Sequence, residues 1–77
     1  MNGDRIKEIL LSGLGKCDIE IEIEGNKVVL NLVSSVFEGL SRVKRQQKVY
    51  ALLNDMIASG EIHAVTMRTQ TPHEIGS

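Results

Sequence analysis

The sequence holds one cysteine, one proline, one phenylalanine, one tyrosine and no tryptophan. A lone Cys17 cannot form an internal disulfide, and a small domain without such staples suits a reducing compartment, so a cytoplasmic setting is expected. With Phe37 and Tyr50 as the whole aromatic complement, both outside the strand patterns, a sheet that stacks bases on ring faces is not expected. No apolar run approaches the roughly 18 residues of a membrane span, so no membrane association by insertion is expected. The opening Met1-Asn2-Gly3-Asp4-Arg5 has no basic stretch leading into an apolar one, so export is not expected either. A large excess of either sign of charge is also missing: nine Lys and Arg against ten Asp and Glu leave −1 at neutral pH. Any capture of an anionic partner must come from a local patch. There is no phosphate-binding glycine loop, no paired zinc-ligand motif, no nucleophile elbow and no Ser/His/Asp grouping. These absences point to a protein that binds rather than catalyses.

What is present is the composition of an ordinary globular chain, 42% hydrophobic and 25% charged over 77 residues. That length suffices for one core, so residues 1–77 read as a single domain, with an ordered part spanning about residues 3–72. Ile6, Ile9, Leu10 and Leu14 recur at helical spacing from Asp4 to Leu14, with Asn2 or Asp4 as a cap and Gly13 and Gly15 as stops. From Asp18 to Glu24 the period changes to two, with Ile19, Ile21 and Ile23 on one face and Asp18, Glu20, Glu22 and Glu24 on the other. Gly25-Asn26 separates this strand from Lys27–Val33, which signals a tight hairpin. Ser41 is placed to cap a helix running to about Ala58, whose Val43, Val49, Tyr50, Leu52, Leu53, Met56 and Ile57 fall on one half of the wheel. Ile62 to Thr69 alternates as a third strand, and Pro72 closes the ordered region before a short polar tail. The order helix, strand, strand, helix, strand predicts an α+β fold. A three-stranded mixed sheet has its first two strands antiparallel, its second and third parallel, and both helices on one face.

Three groups of side chains could carry chemistry. The four acids of the first strand could be imagined as a cation site, but alternation alone accounts for them as a solvated face. Arg42, Lys44, Arg45 and Lys48 lie in a stretch without an acid, and Lys44, Arg45 and Lys48 share an arc of about 100° on the wheel. Cations at a helix N-terminus oppose its dipole, so stability does not explain them; they suit phosphate or another anion, or simply keep the surface soluble. His63 shares strand parity with Val65 and Met67, which places its imidazole near the apolar face, as a packed or capped side chain or as a ligand.

The segment from Phe37 through Glu38-Gly39-Leu40-Ser41-Arg42-Val43-Lys44-Arg45-Gln46-Gln47-Lys48-Val49 to Tyr50, with Gly60-Glu61-Ile62-His63-Ala64-Val65 and Thr71-Pro72-His73-Glu74, resembles the BolA family, most of all its short bacterial branch. The resemblance implies a fold like a class II KH domain and a partnership with monothiol glutaredoxins. In that partnership the two proteins share a two-iron, two-sulfur cluster that exists only in the complex, so no cofactor is expected in the isolated chain, a monomer or weak dimer. Glutaredoxin and glutathione would supply thiolates, and the family histidine at the start of the last strand, here His63, a nitrogen. Some family members are also described as DNA-binding regulators of stress and cell shape.

The chain departs from the family pattern at two places. Many members add a histidine or cysteine ligand from the first hairpin, where this chain has Lys27, and a protonated lysine has no lone pair for iron. Cys17 does not replace it, because it lies at the opposite end of the first strand, roughly 20 Å from His63 at about 3.3 Å per residue. The tryptophan that usually follows the Thr-Pro-x-Glu motif is Ile75. The alternative function is a nucleic-acid-binding regulator that uses Arg42, Lys44, Arg45 and Lys48, although a KH-type GxxG loop is missing.

Overall fold

The computed structural model describes residues 3–76. Helix α1 spans Gly3–Leu14 and buries Ile6, Leu10 and Leu14, the residues spaced at four to face one side. Asp4 lies inside its first turn, where a negative charge suits the helix dipole, and Asn2 lies outside the described residues. Strands β1 (Asp18–Glu24) and β2 (Lys27–Val33) pair antiparallel from Glu24↔Lys27 to Asp18↔Val33. Gly25 stands at φ +61° as the first of two turn residues, a position that fits the right-handed twist of a hairpin and that a Cβ would strain. A 3-10 turn at Ser35–Phe37 then buries Phe37 and leads to α2, Arg42–Ala58. Ser41 caps α2 as its sequence position predicts, its hydroxyl accepting from the Lys44 N–H.

Strand β3, Ala64–Gln70, runs parallel to β2 with Lys27 opposite Ala64 and Val33 opposite Gln70, and the sheet order is β1-β2-β3. The expected topology is therefore present. Val28, Leu30 and Leu32 of the central strand are buried against Leu10, Val49, Leu53 and Met56, while Ile19, Ile21, Val65 and Met67 flank them half-buried. Each large apolar side chain that is fully buried contributes about 1.5 to 3 kcal/mol, so this one-sided core supplies the main driving force. The opposite sheet face exposes the four acids of β1.

Three local expectations are corrected. Strand β3 starts at Ala64, not Ile62: the Ile62 N–H donates to Met56 O at 3.2 Å while its side chain fills the core, so Ile62 belongs to the turn after α2. Val43 and Tyr50, placed on the apolar half of the α2 wheel, are 60% and 41% exposed, because the core reaches only the stripe through Val49, Leu53 and Met56. The segment after Thr71 is a short helix, α3, at Pro72–Gly76, where the sequence suggested a polar tail. Thr71 Oγ1 accepts from the Glu74 N–H at 3.1 Å and Glu74 Oε1 accepts from the Thr71 N–H at 2.7 Å, a reciprocal capping box with proline in the first helical position.

Candidate functional site

At one end of the sheet the backbone fixes a turn around His63. Gly60 takes φ +85° after α2 ends, and the next residues are tied on both sides, Ile62 to Met56 O and the His63 N–H to Asn26 O at 2.8 Å. That second bond joins the turn to the β1–β2 hairpin, one residue from Lys27. The Glu61 carboxylate accepts from Arg5 of α1 at 3.2 Å and from Ser59 Oγ at 3.2 Å, which steadies the turn from the helix side. The imidazole itself is exposed, with Nε2 about 3.7 Å from where a Cβ on Gly60 would stand. Strand parity does not carry it to the apolar face, because the strand begins only at Ala64. His63 thus presents an exposed imidazole on a backbone tied to the hairpin.

At the other end the chain is cross-bonded. Buried Ser34 donates its hydroxyl to Lys16 O at 2.7 Å, accepts from the Val36 N–H at 3.2 Å, and gives its backbone N–H to Gln70 O at 3.0 Å. Arg45, 13% exposed at the side chain, donates to Leu40 O at 3.0 Å, to Thr69 O at 3.2 Å and to both Glu74 oxygens at 2.8 and 3.4 Å. Arg45 is therefore the clamp that joins the start of α2, the end of β3 and α3, and its conformation is explained by structure. The carbonyls and the Glu74 carboxylate offset its unfavourable place near the positive end of α2. Hydrogen bonds from Arg45 and from the Thr71 backbone hold the Glu74 carboxyl below the usual carboxylate range. Arg42, Lys44 and Lys48 remain exposed and take part in no ion pair among the described residues.

Cys17 belongs to this second end, next to Asp18, while Lys27 and His63 share the first. It is half-buried, and burial pushes its thiol up, with the Asp18 charge adding and a Val33 backbone hydrogen bond opposing. A thiol held protonated is a poor ligand and a poor nucleophile. No group of three or more His, Cys, Asp or Glu that could hold a metal ion occurs among the described residues. Such a donor set would not hold a cluster from within the chain; an exposed imidazole such as that of His63 would fit as a single contributed ligand, with the remaining positions filled from outside the chain. No described helix is long and apolar enough to cross a membrane.

A family model described as BolA-like protein matches residues 22–74. The chain belongs to the BolA-like family. Among its relatives, an uncharacterised protein from the rpoN-murA intergenic region of Acinetobacter guillouiae is 43% identical over 74 residues, covering 96% of this chain and 89% of the relative. The acid stress protein IbaG of Escherichia coli is 35% identical over 74 residues, with 96% and 88% covered. The solved BolA domain of SufE1 from Arabidopsis thaliana superposes at a TM-score of 0.86 with 32% identity, covering 96% of this chain and 98% of that one. The matched segment contains both the Arg45 clamp and His63, so the family block divides between a structural end and an exposed donor. The Thr71-x-x-Glu74 spacing marks the start of α3, but no local pattern in α2 marks Arg45 as its partner.

Proposed function

We propose that this chain is an adaptor without catalytic activity of its own, which docks on a monothiol glutaredoxin and contributes His63 to a shared two-iron, two-sulfur cluster. Its role is in iron-sulfur trafficking or in iron and stress regulation, in the cytoplasm. The observation that carries this reading is the exposed imidazole of His63 on a turn tied to the hairpin by the His63–Asn26 backbone bond. A preset backbone lets an incoming metal select a side-chain rotamer without reordering the chain. The bound cluster supplies thiolate-held iron that accepts one neutral imidazole nitrogen. His63 supplies that nitrogen, the hairpin holds its backbone in place, and Lys27 beside it adds a positive charge but no ligand. The name of the Escherichia coli relative supports a role in stress response.

Nucleic acid is a second partner class, favoured by the exposed Arg42, Lys44 and Lys48, which form no ion pair among the described residues, with Arg45 engaged elsewhere. The experiment mixes the chain with a monothiol glutaredoxin, glutathione, iron and sulfide and records the visible spectrum. The adaptor reading expects a cluster spectrum distinct from that of glutaredoxin alone, and a different one with His63→Ala. An unchanged glutaredoxin spectrum, together with DNA affinity that falls steeply with salt, would favour the second class.

A further inference from the structure

The two edges of the sheet are treated differently. At β3 the Gln70 carbonyl accepts from Ser34 on the β2 side, so the backbone of the preceding residue turns outward, and there Arg45 takes the Thr69 carbonyl at 3.2 Å. That edge is capped at its end. Among the described residues, no side chain bonds to an outward-facing carbonyl of β1. Glu24 and Lys27 close the two-residue turn, and in an antiparallel ladder bonded and non-bonded pairs alternate, so the backbone groups of Ile19, Ile21 and Ile23 turn away from β2. On the core side the same three isoleucines line a shallow cavity of about 340 Å³ with Gly3, Asp4 and Lys7 of α1, and Ile23 is 36% exposed. On the other face Asp18, Glu20, Glu22 and Glu24 are exposed and make no ion pair among the described residues. Across the ladder Glu20 and Glu22 face the uncharged Asn31 and Val29, while Lys27 stands opposite Glu24 and Arg68 of β3 shares a pocket with Asp18 and Glu20, so the cation-free stretch of the edge is centred on Glu22.

We propose that the β1 edge is a docking site for an extended segment of a partner protein in which apolar residues alternate with Lys or Arg, added as a fourth strand. The backbone of that segment pairs with Ile19, Ile21 and Ile23, its apolar side chains enter the cavity beside α1, and its cations stand over Glu20 and Glu22. Period two in β1 selects period two in the partner. The same carboxylates reject a second copy of this chain, since two β1 edges side by side would bring like charges together, the usual protection of an exposed edge. This surface is independent of His63 and does not rest on cluster binding.

The test uses the full chain labelled with 15N and an acetylated, amidated eight-residue peptide of alternating valine and lysine. Two kinds of control accompany it: the same composition with valines and lysines in separate blocks, and the alternating peptide methylated on every second backbone nitrogen, in either register. The expected result is a set of amide shifts centred on Ile19–Glu24, with hydrogen exchange slowed at Ile19, Ile21 and Ile23. Binding of the block peptide and of one methylated register should be weaker by about tenfold or more, and Glu20→Gln with Glu22→Gln should weaken the alternating peptide by about tenfold. Equal binding of all peptides would reduce the surface to charge attraction and overturn the proposal. So would shifts centred on β3 or α2, or no binding at millimolar peptide.

Discussion

The two ends of the sheet carry the two halves of the family motif, and they use it in opposite ways. Around Arg45 and Ser34, side chains bond to backbone carbonyls of two loops and of β3, so polar groups act as structure. Around His63 the backbone makes the bonds and the side chain is left exposed. A side chain that is surplus to the fold yet sits on a fixed backbone is available for a partner. One that closes three carbonyl or carboxylate contacts is not. The comparison predicts that substitutions at the first end change stability and that those at the second change binding.

The largest effect on stability is expected from Arg45→Ala, which removes charge-assisted bonds to the Leu40 and Thr69 carbonyls and the packing of a buried stem, at about 2 to 3 kcal/mol. Chemical denaturation should show it as a lower midpoint with the slope retained. A loss under about 0.5 kcal/mol, the usual range for surface sites, would return Arg45 to the group of solvated cations. Ser34→Ala comes next, at about 1 to 2 kcal/mol, because Lys16 O and the Val36 N–H both lose a partner in a buried setting. The same denaturation series measures it, and a neutral outcome would mean that water replaces the hydroxyl.

A smaller effect concerns acid. The Glu74 carboxyl is depressed in the folded state, so the stability it adds is present above the ordinary carboxylate range and is lost as pH falls through its lowered folded value. Glu74→Gln should therefore flatten that part of the stability curve against pH, and an unchanged curve would show that the Arg45–Glu74 contact adds nothing in solution.

Much of the fold was legible because it depends on neighbours in sequence. The alternation of Ile and acid in β1, Gly25-Asn26 in the turn and Ser41 at the cap each specify a local geometry, and the crossover through α2 then requires a parallel β3. The errors arose where a distant residue decides. Arg45 reads as one of four surface cations on a wheel that shows only its own helix, and its burial depends on Thr69 and on Glu74, which lies 29 residues away. Helix α3 is five residues long and has little hydrophobic pattern; its capping box was visible in Thr71 and Glu74 but is reinforced by the distant Arg45. Parity placed His63 on the apolar face because counting by two ran through a turn that has not yet become strand. The adjacency of His63 and the hairpin was legible from the parallel pairing alone, and the backbone bond to Asn26 agrees with it.

The most direct test of the central claim is pulsed electron paramagnetic resonance on the reduced mixed cluster, formed with one glutaredoxin preparation and this chain labelled with 15N-histidine. The account predicts a 15N hyperfine coupling of an iron-bound imidazole in the unsubstituted chain. It should be retained in His73→Ala and Cys17→Ser and lost in His63→Ala, whose fold should survive because an exposed imidazole contributes about 1 kcal/mol or less. A coupling that persists in His63→Ala, or one that is absent from the unsubstituted chain, would contradict it.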